Sequence, residues 1–218
     1  MAALLPTQAL VAENVILDSR LALIHTRERW LAIADLHFGY ELSQRAAGSL
    51  VPLWGMDSIE QRLVALLDDF QPDRLLIVGD LVHDRAAGKE ATALLARLST
   101  RCEVIAIAGN HDRRLGGEIP FVDSWQTDRF HFHHGHCEAE TSGKIQIIGH
   151  HHPAAALRDG AGLHLKLPAL VQGKSCWILP AFSPWSAGTT WKGDPDSRLW
   201  ICSPTRVFPL PLREAAVA

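Results

Sequence analysis

Residues 75–80 read LLIVGD, and this stretch gives the clearest prediction of the fold. Four apolar residues end abruptly at Gly79 and Asp80, which is typical of a strand buried on both faces of a sheet. The same pattern, an apolar run followed by polar residues of metal-binding types, recurs at four other places. These runs are Trp30–Ala34, Val104–Ala108, Phe130–His133 and Ile145–Ile148. The sequence therefore predicts five buried strands, each followed by polar side chains.

Two segments between the first three runs have helical periodicity. Ser58–Phe70 and Lys89–Leu98 each place leucines on one stripe, so strands and helices alternate along the chain, as in α/β folds. After Phe130 the runs become short and closely spaced, which predicts a second, mostly antiparallel sheet. Its further strands are expected at Leu163–Leu167, Ser175–Leu179, Arg198–Cys202 and Thr205–Phe208. We expect two sheets in a sandwich with helices outside, formed by residues 1–218 as a single domain.

The composition is that of an ordinary globular protein, with 47% hydrophobic residues among 218 and a formal net charge of -3. This charge argues against a broad basic face for nucleic acid, but bound divalent cations would supply a local positive field to a nucleic-acid substrate. The four cysteines include no CxxC pair, which is typical of reduced thiols. We find no signal peptide and no apolar run long enough to span a membrane, and we expect a cytoplasmic protein.

The polar residues that follow the predicted strands are the candidate functional residues. In open α/β sheets, sites form at the carboxyl ends of the strands, so these side chains are expected to meet. Asp35 and His37 are two residues apart, and in an extended chain both would point to the same side, as would His150 and His152. The seven candidate metal ligands are Asp35, His37, Asp80, Asn110, His134, His150 and His152.

Taken singly, each motif has a simpler structural explanation. An Asp or Asn after glycine, as at Asp80 and Asn110, is common in tight turns, and a histidine tract is commonly solvated. In the cluster at residues 133–136, His134 is preferred over His133 because it alternates with the phenylalanines of the preceding run. The combination of all motifs in order favours a metal site. Carboxylate, amide and imidazole ligands without thiolates suit Mn, Fe, Co or Zn better than Mg or Ca.

The motifs DxH, GD, GNHD, HG and GHxH occur in the order that characterises the calcineurin-like metallophosphoesterases, which the chain resembles over most of its length. The resemblance implies a four-layered α/β/β/α sandwich of two mixed sheets flanked by helices. It also implies two divalent metal ions, Mn2+ first and Fe, Co or Zn as alternatives. Asp35, His37, Asp80 and His152 would hold one ion, and Asp80, Asn110, His134 and His150 the other. His111 would be the catalytic residue beside the scissile phosphate.

Several stretches resemble a narrower group, the bacterial ligase-associated DNA-damage-response endonucleases and related small phosphoesterases. These are ADLHFG (34–39), GDLVH (79–83), GNHDRR (109–114) and LPAF (179–182). The resemblance implies a phosphodiesterase or DNA endonuclease in DNA repair, associated with a DNA ligase or helicase. One departure is His83, which stands where many superfamily members carry a second Asp. Asp84 follows it, so either residue is a candidate to support the site.

The mechanistic hypothesis is hydrolysis of a phosphodiester by two metal ions and a bridging hydroxide. His111 would protonate the leaving group, with Asp112 or Asp84 orienting its ring. Arg113 and Arg114 are candidates to contact the phosphate, the alternative being two solvated surface arginines.

Two other functions remain open at this point. A small-molecule nucleotide phosphodiesterase or pyrophosphatase would have a closed pocket with a base-stacking aromatic, whereas an endonuclease would have an open, basic groove. An inactive protein-binding scaffold is disfavoured because every ligand position is filled. The segment Ala181–Asp196 is a candidate loop over the site or a dimer contact. The aromatic residues that could wall a site, or fill the core, are Trp54, Phe121, Trp125, Phe182, Trp185 and Trp191.

Overall fold

The computed structural model describes residues 4–115, 119–137, 143–158, 162, 164–192 and 196–211. Six strands form the first sheet. They are β1 (Gln8–Ala12), β2 (Val15–Asp18), β3 (Ala22–His25), β4 (Trp30–Ala34), β5 (Arg74–Val78) and β6 (Glu103–Ile107). They follow one another across the sheet in sequence order, antiparallel from β1 to β4 and parallel from β4 to β6. The three buried runs predicted here are confirmed, whereas β1 to β3 were not predicted.

Nine strands form the second sheet. They are β7 (Trp125–Gln126), β8 (Phe130–Phe132), β9 (Ile145–Ile148), β10 (Pro153–Arg158), β11 (His164–Gln172), β12 (Cys176–Ile178), β13 (Thr189–Thr190), β14 (Arg198–Ser203) and β15 (Arg206–Pro211). Strands β8, β9 and β12 pair in parallel, as do β10 and β13, and the other pairs are antiparallel. Both sheets are therefore mixed. The predicted start of one strand, Leu163, lies outside the described residues.

The main core lies between the two sheets. The Trp30 ring of β4 packs edge-on against Phe130 and Phe132 of β8, with ring centroids 5.5 and 5.0 Å apart. Alternation along β11 turns Leu170 towards this core, whereas Ala169 and Val171 belong to a separate apolar cluster on the other face of the second sheet. Burial of both faces explains why the strands read as apolar runs.

In the described part of the chain, three α-helices flank the sandwich: α1 (Tyr40–Ala46), α2 (Gly55–Phe70) and α3 (Gly88–Leu98). Helix α2 buries Ile59, Leu63 and Leu66 in the main core, the stripe that its periodicity predicted. It begins at Gly55, before the predicted Ser58, and α1 was not predicted. The α/β sandwich of two mixed sheets flanked by helices is confirmed. Among the described residues, no helix is long and apolar enough to cross a lipid bilayer.

The carboxyl end of β4 joins the two sheets. The Phe182 N–H donates to the Ala34 carbonyl oxygen at 2.7 Å, and the Ser183 N–H donates to the Asp35 carbonyl oxygen at 3.1 Å. The chain that leaves β12 therefore closes against the end of β4. This connection brings the residues after β4, β5 and β6 next to the residues after β8 and β9.

Candidate metal centre

Five of the seven predicted ligands lie on backbone in the left-handed region. The φ angles are 54° at Asp35, 43° at His37, 44° at Asp80, 66° at His150 and 45° at His152. This conformation costs about 1–3 kcal/mol at a residue other than glycine, and such strain is concentrated at functional sites. The expectation that Asp35 and His37 share a side of extended chain is wrong. Their side chains converge because the backbone turns sharply at each strand end.

One group of donor atoms forms between the ends of β4 and β9. His37 Nε2 and His152 Nε2 are 3.3 Å apart, and Asp35 Oδ1 is 3.6 Å from His152 Nε2. Asp80 Oδ2, from the loop after β5, lies 3.9 Å from His37 Nε2. Asp35, His37 and His152 thus form a group that could hold a metal ion, with Asp80 at its side.

A second group forms beside the first, on the other side of Asp80. Asp80 Oδ2 is 3.4 Å from His134 Nε2, which lies 3.0 Å from Asn110 Oδ1 and 3.2 Å from His150 Nδ1. Asp80, His134 and His150 form another group that could hold a metal ion. The same carboxylate oxygen of Asp80 faces both groups, so it is placed to be shared by two cations.

The donor atoms fit divalent cations. Ligand atoms about 2.0–2.2 Å from one ion lie about 3–3.6 Å from each other, which is the spacing of most of these pairs. His37 Nε2 and His152 Nε2 face each other at 3.3 Å, and their lone pairs would repel unless a proton or a cation lay between them. The set of carboxylate, amide and imidazole donors suits Mn, Fe, Co or Zn.

Hydrogen bonds from neighbouring loops hold the ligands. His152 Nδ1 contacts Ser186 Oγ at 2.9 Å, and the His150 N–H donates to Asp35 Oδ2 at 2.9 Å. The His111 N–H donates to Asp80 Oδ1 at 3.0 Å, which leaves Oδ2 for the donor groups. Such contacts fix the orientation of ligands and raise metal affinity.

Asp112 connects the loop after β5 to the loop after β6 by hydrogen bonds. Its buried carboxylate accepts the backbone N–H groups of Leu81 and Val82, after β5, and of Gly109, after β6. Burial raises the pKa of Asp112, and the three hydrogen bonds oppose that rise. Asp112 therefore supports the loops that carry Asp80 and Asn110.

Two of the glycines that precede the ligands are required by close packing. A Cβ at Gly109 would lie 2.1 Å from Asp80 Oδ1, and a Cβ at Gly79, where φ is 78°, would lie 1.8 Å from His134 Nδ1. Each glycine makes room for a ligand from a different loop. The GD and GN motifs are thus parts of one packed arrangement.

Burial and pairing set the protonation of the ligands. Burial lowers the pKa of His37 to about 3, so its imidazole is neutral at pH 7 and offers a lone pair. Burial opposes ionisation of Asp80, but the hydrogen bond and charge of His134 outweigh it and lower the pKa of Asp80 to about 2. Burial likewise opposes protonation of His134, whereas its contacts with Asp80 and Asp35 raise its pKa. Without metal, Asp80 and His134 are therefore placed to form a buried ion pair when His134 is protonated.

His111 lies beside the first group and is oriented by the backbone. Its Nδ1 contacts the carbonyl oxygen of His83 at 2.8 Å, so the partner of this nitrogen is a carbonyl and neither Asp84 nor Asp112. The His111 ring lies 5.0 Å from the His37 ring and stacks on the His83 ring at 5.2 Å. With Nδ1–H bound to a carbonyl, Nε2 remains for the substrate. His37, His83 and His111 also form a third group of metal-binding type, which the sequence did not indicate.

The structure separates the alternatives that the sequence left open. His133 Nε2 contacts Gln146 Oε1 at 3.1 Å, whereas His134 is the histidine beside Asn110 and Asp80. Asp84 Oδ1 accepts the Ala86 N–H and caps a short 3-10 helix. The side chain that stacks on His111 is that of His83.

The two arginines after Asp112 differ in what is described. The exposed Arg113 contacts His136 Nε2 at 2.9 Å through its guanidinium, at the edge of the second group. The side chain of Arg114 lies outside the described residues.

Two residues near the site were missed by sequence reasoning. Glu41 of α1 is fully buried, and its Oε2 accepts the Trp185 Nε1–H at 3.0 Å. Ser186 contacts His152 from the Ala181–Asp196 segment, whose residues 193–195 lie outside the described part. No local pattern marks either residue, because their partners are distant in the sequence.

The fold and this edge of His, Asp and Asn donors define a metal-dependent phosphoesterase. The model of the calcineurin-like phosphoesterases matches residues 29–170, which is more than half of the chain. The chain belongs to the calcineurin-like phosphoesterases and is therefore a hydrolase of phosphate esters. No curated protein matches the chain.

Among solved structures, the chain is similar to the crystal structure of nuclease MPE from Pseudomonas putida. The two share 29% sequence identity with a TM-score of 0.72, over 90% of this chain and 94% of that chain. The likeness therefore extends over nearly the whole of both chains and supports membership of a nuclease-like group.

Proposed function

We propose that this protein is a nuclease that cleaves phosphodiester bonds of DNA with two divalent metal ions. The observation that carries the proposal is the shared position of Asp80 Oδ2, within 3.4 Å of His134 Nε2 and 3.9 Å of His37 Nε2. One oxygen between two donor groups is the arrangement expected of a two-metal site. The likeness to nuclease MPE supports a nucleic acid as the substrate, and the resemblance to the ligase-associated endonucleases is the reason that we propose DNA.

In this proposal, the predicted ligands hold the two cations that promote hydrolysis. When bound, two cations would lower the pKa of water and neutralise charge that develops on the phosphate. Asp35, His37, Asp80 and His152 would hold one ion, and Asp80, Asn110, His134 and His150 the other. Mn2+ is the ion that we propose, with Fe, Co or Zn as alternatives.

His111 is placed to act on the leaving group. The His83 carbonyl accepts its Nδ1–H, which leaves Nε2 for the substrate; in the imidazolium form, His111 can donate its Nε2 proton to the departing oxygen and keep the Nδ1–H, a role worth about 10²–10⁴-fold in rate. Arg113 is exposed next to the second group and is placed to contact a phosphate oxygen outside it.

A second candidate is hydrolysis of a small nucleotide diester. It is favoured by aromatic rings next to the site, where Tyr40 lies 4.8 Å from the His83 ring and 5.7 Å from the Trp185 ring. Such rings can stack a nucleobase whether it is free or part of a strand. The two candidates differ in the size of the ester.

The test is turnover by the manganese-loaded protein on several phosphate esters. The substrates are bis-p-nitrophenyl phosphate, p-nitrophenyl phosphate, cyclic nucleotides, dinucleoside polyphosphates, and single- and double-stranded DNA. Cleavage of DNA at a rate comparable to that of the chromogenic diester supports the nuclease. Turnover of nucleotides without any cleavage of DNA would replace it by the second candidate. A role in DNA repair, and association with a DNA ligase or helicase, stay predictions from the family resemblance.

A further inference from the structure

A row of aromatic rings leads from the metal centre to the protein surface. The His83 ring stacks on His111 and lies 4.8 Å from the Tyr40 ring. Tyr40 stacks on Trp185 at 5.7 Å with 28° between the ring planes, and Trp185 contacts Trp54 at 4.8 Å. We call Tyr40, Trp185 and Trp54 the aromatic row. It connects the residue beside the scissile bond to the loop before α2.

The outer end of this row is exposed. Trp54 has 47% of its surface accessible, and the neighbouring Leu53 and Leu50 are 48% and 97% accessible. Large apolar side chains exposed together next to a site are a mark of a contact surface. Their position before α2 places this surface at the outer end of the aromatic row and within one short segment of chain.

A buried carboxylate fixes the middle of the row. Glu41 is fully buried, and its Oε2 accepts the Trp185 Nε1–H at 3.0 Å while its Oε1 accepts the Met56 N–H at 2.7 Å. Gly55 allows this approach, because a Cβ there would lie 2.2 Å from Trp185 Nε1. Burying a carboxylate is costly unless its oxygens are hydrogen-bonded. The two hydrogen bonds offset this cost, and they hold the Trp185 indole and the start of α2 in one position.

We propose that the aromatic row, with Trp54 at its exposed end, stacks an unpaired base of the strand whose phosphate lies at the metal centre. This inference rests on the proposed nuclease function and adds the part of the substrate that the metal centre does not contact. Every base has a π-face, so stacking on tryptophan tolerates any sequence. A base inside a duplex is already stacked on its neighbours and would have to leave the helix first.

The test compares two single strands on the metal-loaded protein. One carries bases at every position, and the other is abasic at the three positions on each side of the cleaved bond, because four ring-to-ring steps of 4.8–5.7 Å separate His111 from Trp54. For Trp54→Ala, we expect Kd and KM for the base-bearing strand to rise by about 5- to 150-fold, with kcat and the abasic strand unchanged. Trp54→Phe should restore most of the binding. Trp125→Ala is the matched control, because Trp125 is a partly exposed indole at the amino end of the parallel strands.

The outcomes separate the two proposals. Equal binding and cleavage of both strands by the wild-type protein, or an equal effect of Trp54→Ala on both, would overturn the stacking and leave the nuclease standing. If neither strand is cut, but anisotropy shows a preference for bases that Trp54→Ala removes, the stacking stands and the nuclease fails. If neither strand is cut or bound, both proposals are overturned.

Discussion

The two ends of the parallel strands β4, β5 and β6 differ in their chemistry. At the amino end, a cavity of about 910 Å³ is lined by charged residues whose ion pairs face solvent. Arg74 and Glu103 pair there at 2.9 Å, with 40% and 60% of their side chains accessible. At the carboxyl end, Asp35 and Asp80 are buried, and their neighbours are imidazoles on left-handed backbone.

This difference shows what marks a functional site in this fold. The charges that line the large cavity are balanced and solvated. They cost little free energy without a ligand, because exposed ion pairs contribute little to stability. Buried donor atoms that face one another on left-handed backbone, such as His37 with His152 at 3.3 Å and with Asp80 at 3.9 Å, are costly without a cation. We therefore expect metal ions to bind at the carboxyl end, although the large cavity lies at the amino end.

Asp80→Asn is expected to have the largest effect, because it removes the charge that both donor groups share. Turnover of a chromogenic phosphodiester should fall by at least about 10³-fold, with a loss of bound metal. Glu103→Gln at the amino end is the matched change of a carboxylate to an amide and should leave turnover unchanged. Comparable losses in both variants would remove the distinction between the two ends.

His111→Ala should reduce kcat by about 10²–10⁴-fold while the metal content stays the same, because His111 acts on the leaving group. Steady-state kinetics and elemental analysis on the same preparation measure both. The loss should shrink with a leaving group of low pKa, such as p-nitrophenolate, which needs no proton. Loss of metal in this variant would instead assign His111 to the third histidine group.

Ser186→Ala should weaken metal binding at the first group by about 10–100-fold, because Ser186 Oγ is the partner of His152 Nδ1. Competition with a chelator measures the affinity of each ion. The second group, built around His134 and Asn110, should keep its affinity. Equal weakening of both ions would mean that Ser186 acts on the fold and not on His152.

Metal binding should depend on pH through His134, whose pKa is raised by Asp80 in the metal-free protein. A raised pKa favours the protonated form of His134, and a cation must displace that proton in order to bind. Apparent affinity should rise with pH, by up to about tenfold per unit, until His134 has lost its proton. Calorimetry in buffers of different ionisation enthalpy counts the released proton. Absence of proton release at pH 7 would contradict the Asp80–His134 ion pair.

Much of the fold follows from the apolar runs alone. β4, β5 and β9 are predicted because mostly apolar runs that end abruptly at glycine or at polar residues are typical of buried parallel strands. β1 to β3 are missed because the turns that join them, with Asn14 and Leu21 at positive φ, contain no glycine or proline to mark them in the sequence. Their pairing depends on neighbours across the sheet and not on a local pattern.

The candidate ligands could be predicted, but their support could not. The ligands follow strand ends, which the sequence marks, and their residue types report the chemistry. The supporting contacts join residues far apart in the chain, such as Trp185 with Glu41, 144 positions away, and Ser186 with His152, 34 positions away. The left-handed φ at Asp35 and His37 is also invisible in sequence, since most residues of these types are extended or helical.

The central claim is that two cations share Asp80 at the carboxyl ends of the strands. The most direct measurement is the number and position of Mn2+ ions bound per chain, by elemental analysis of the purified protein and anomalous diffraction of its crystals. We predict two ions per chain. One should lie beside Asp35, His37 and His152, and the other beside Asn110, His134 and His150. Both ions should contact Asp80. A single ion at saturation, or ions that do not contact Asp80, would contradict it.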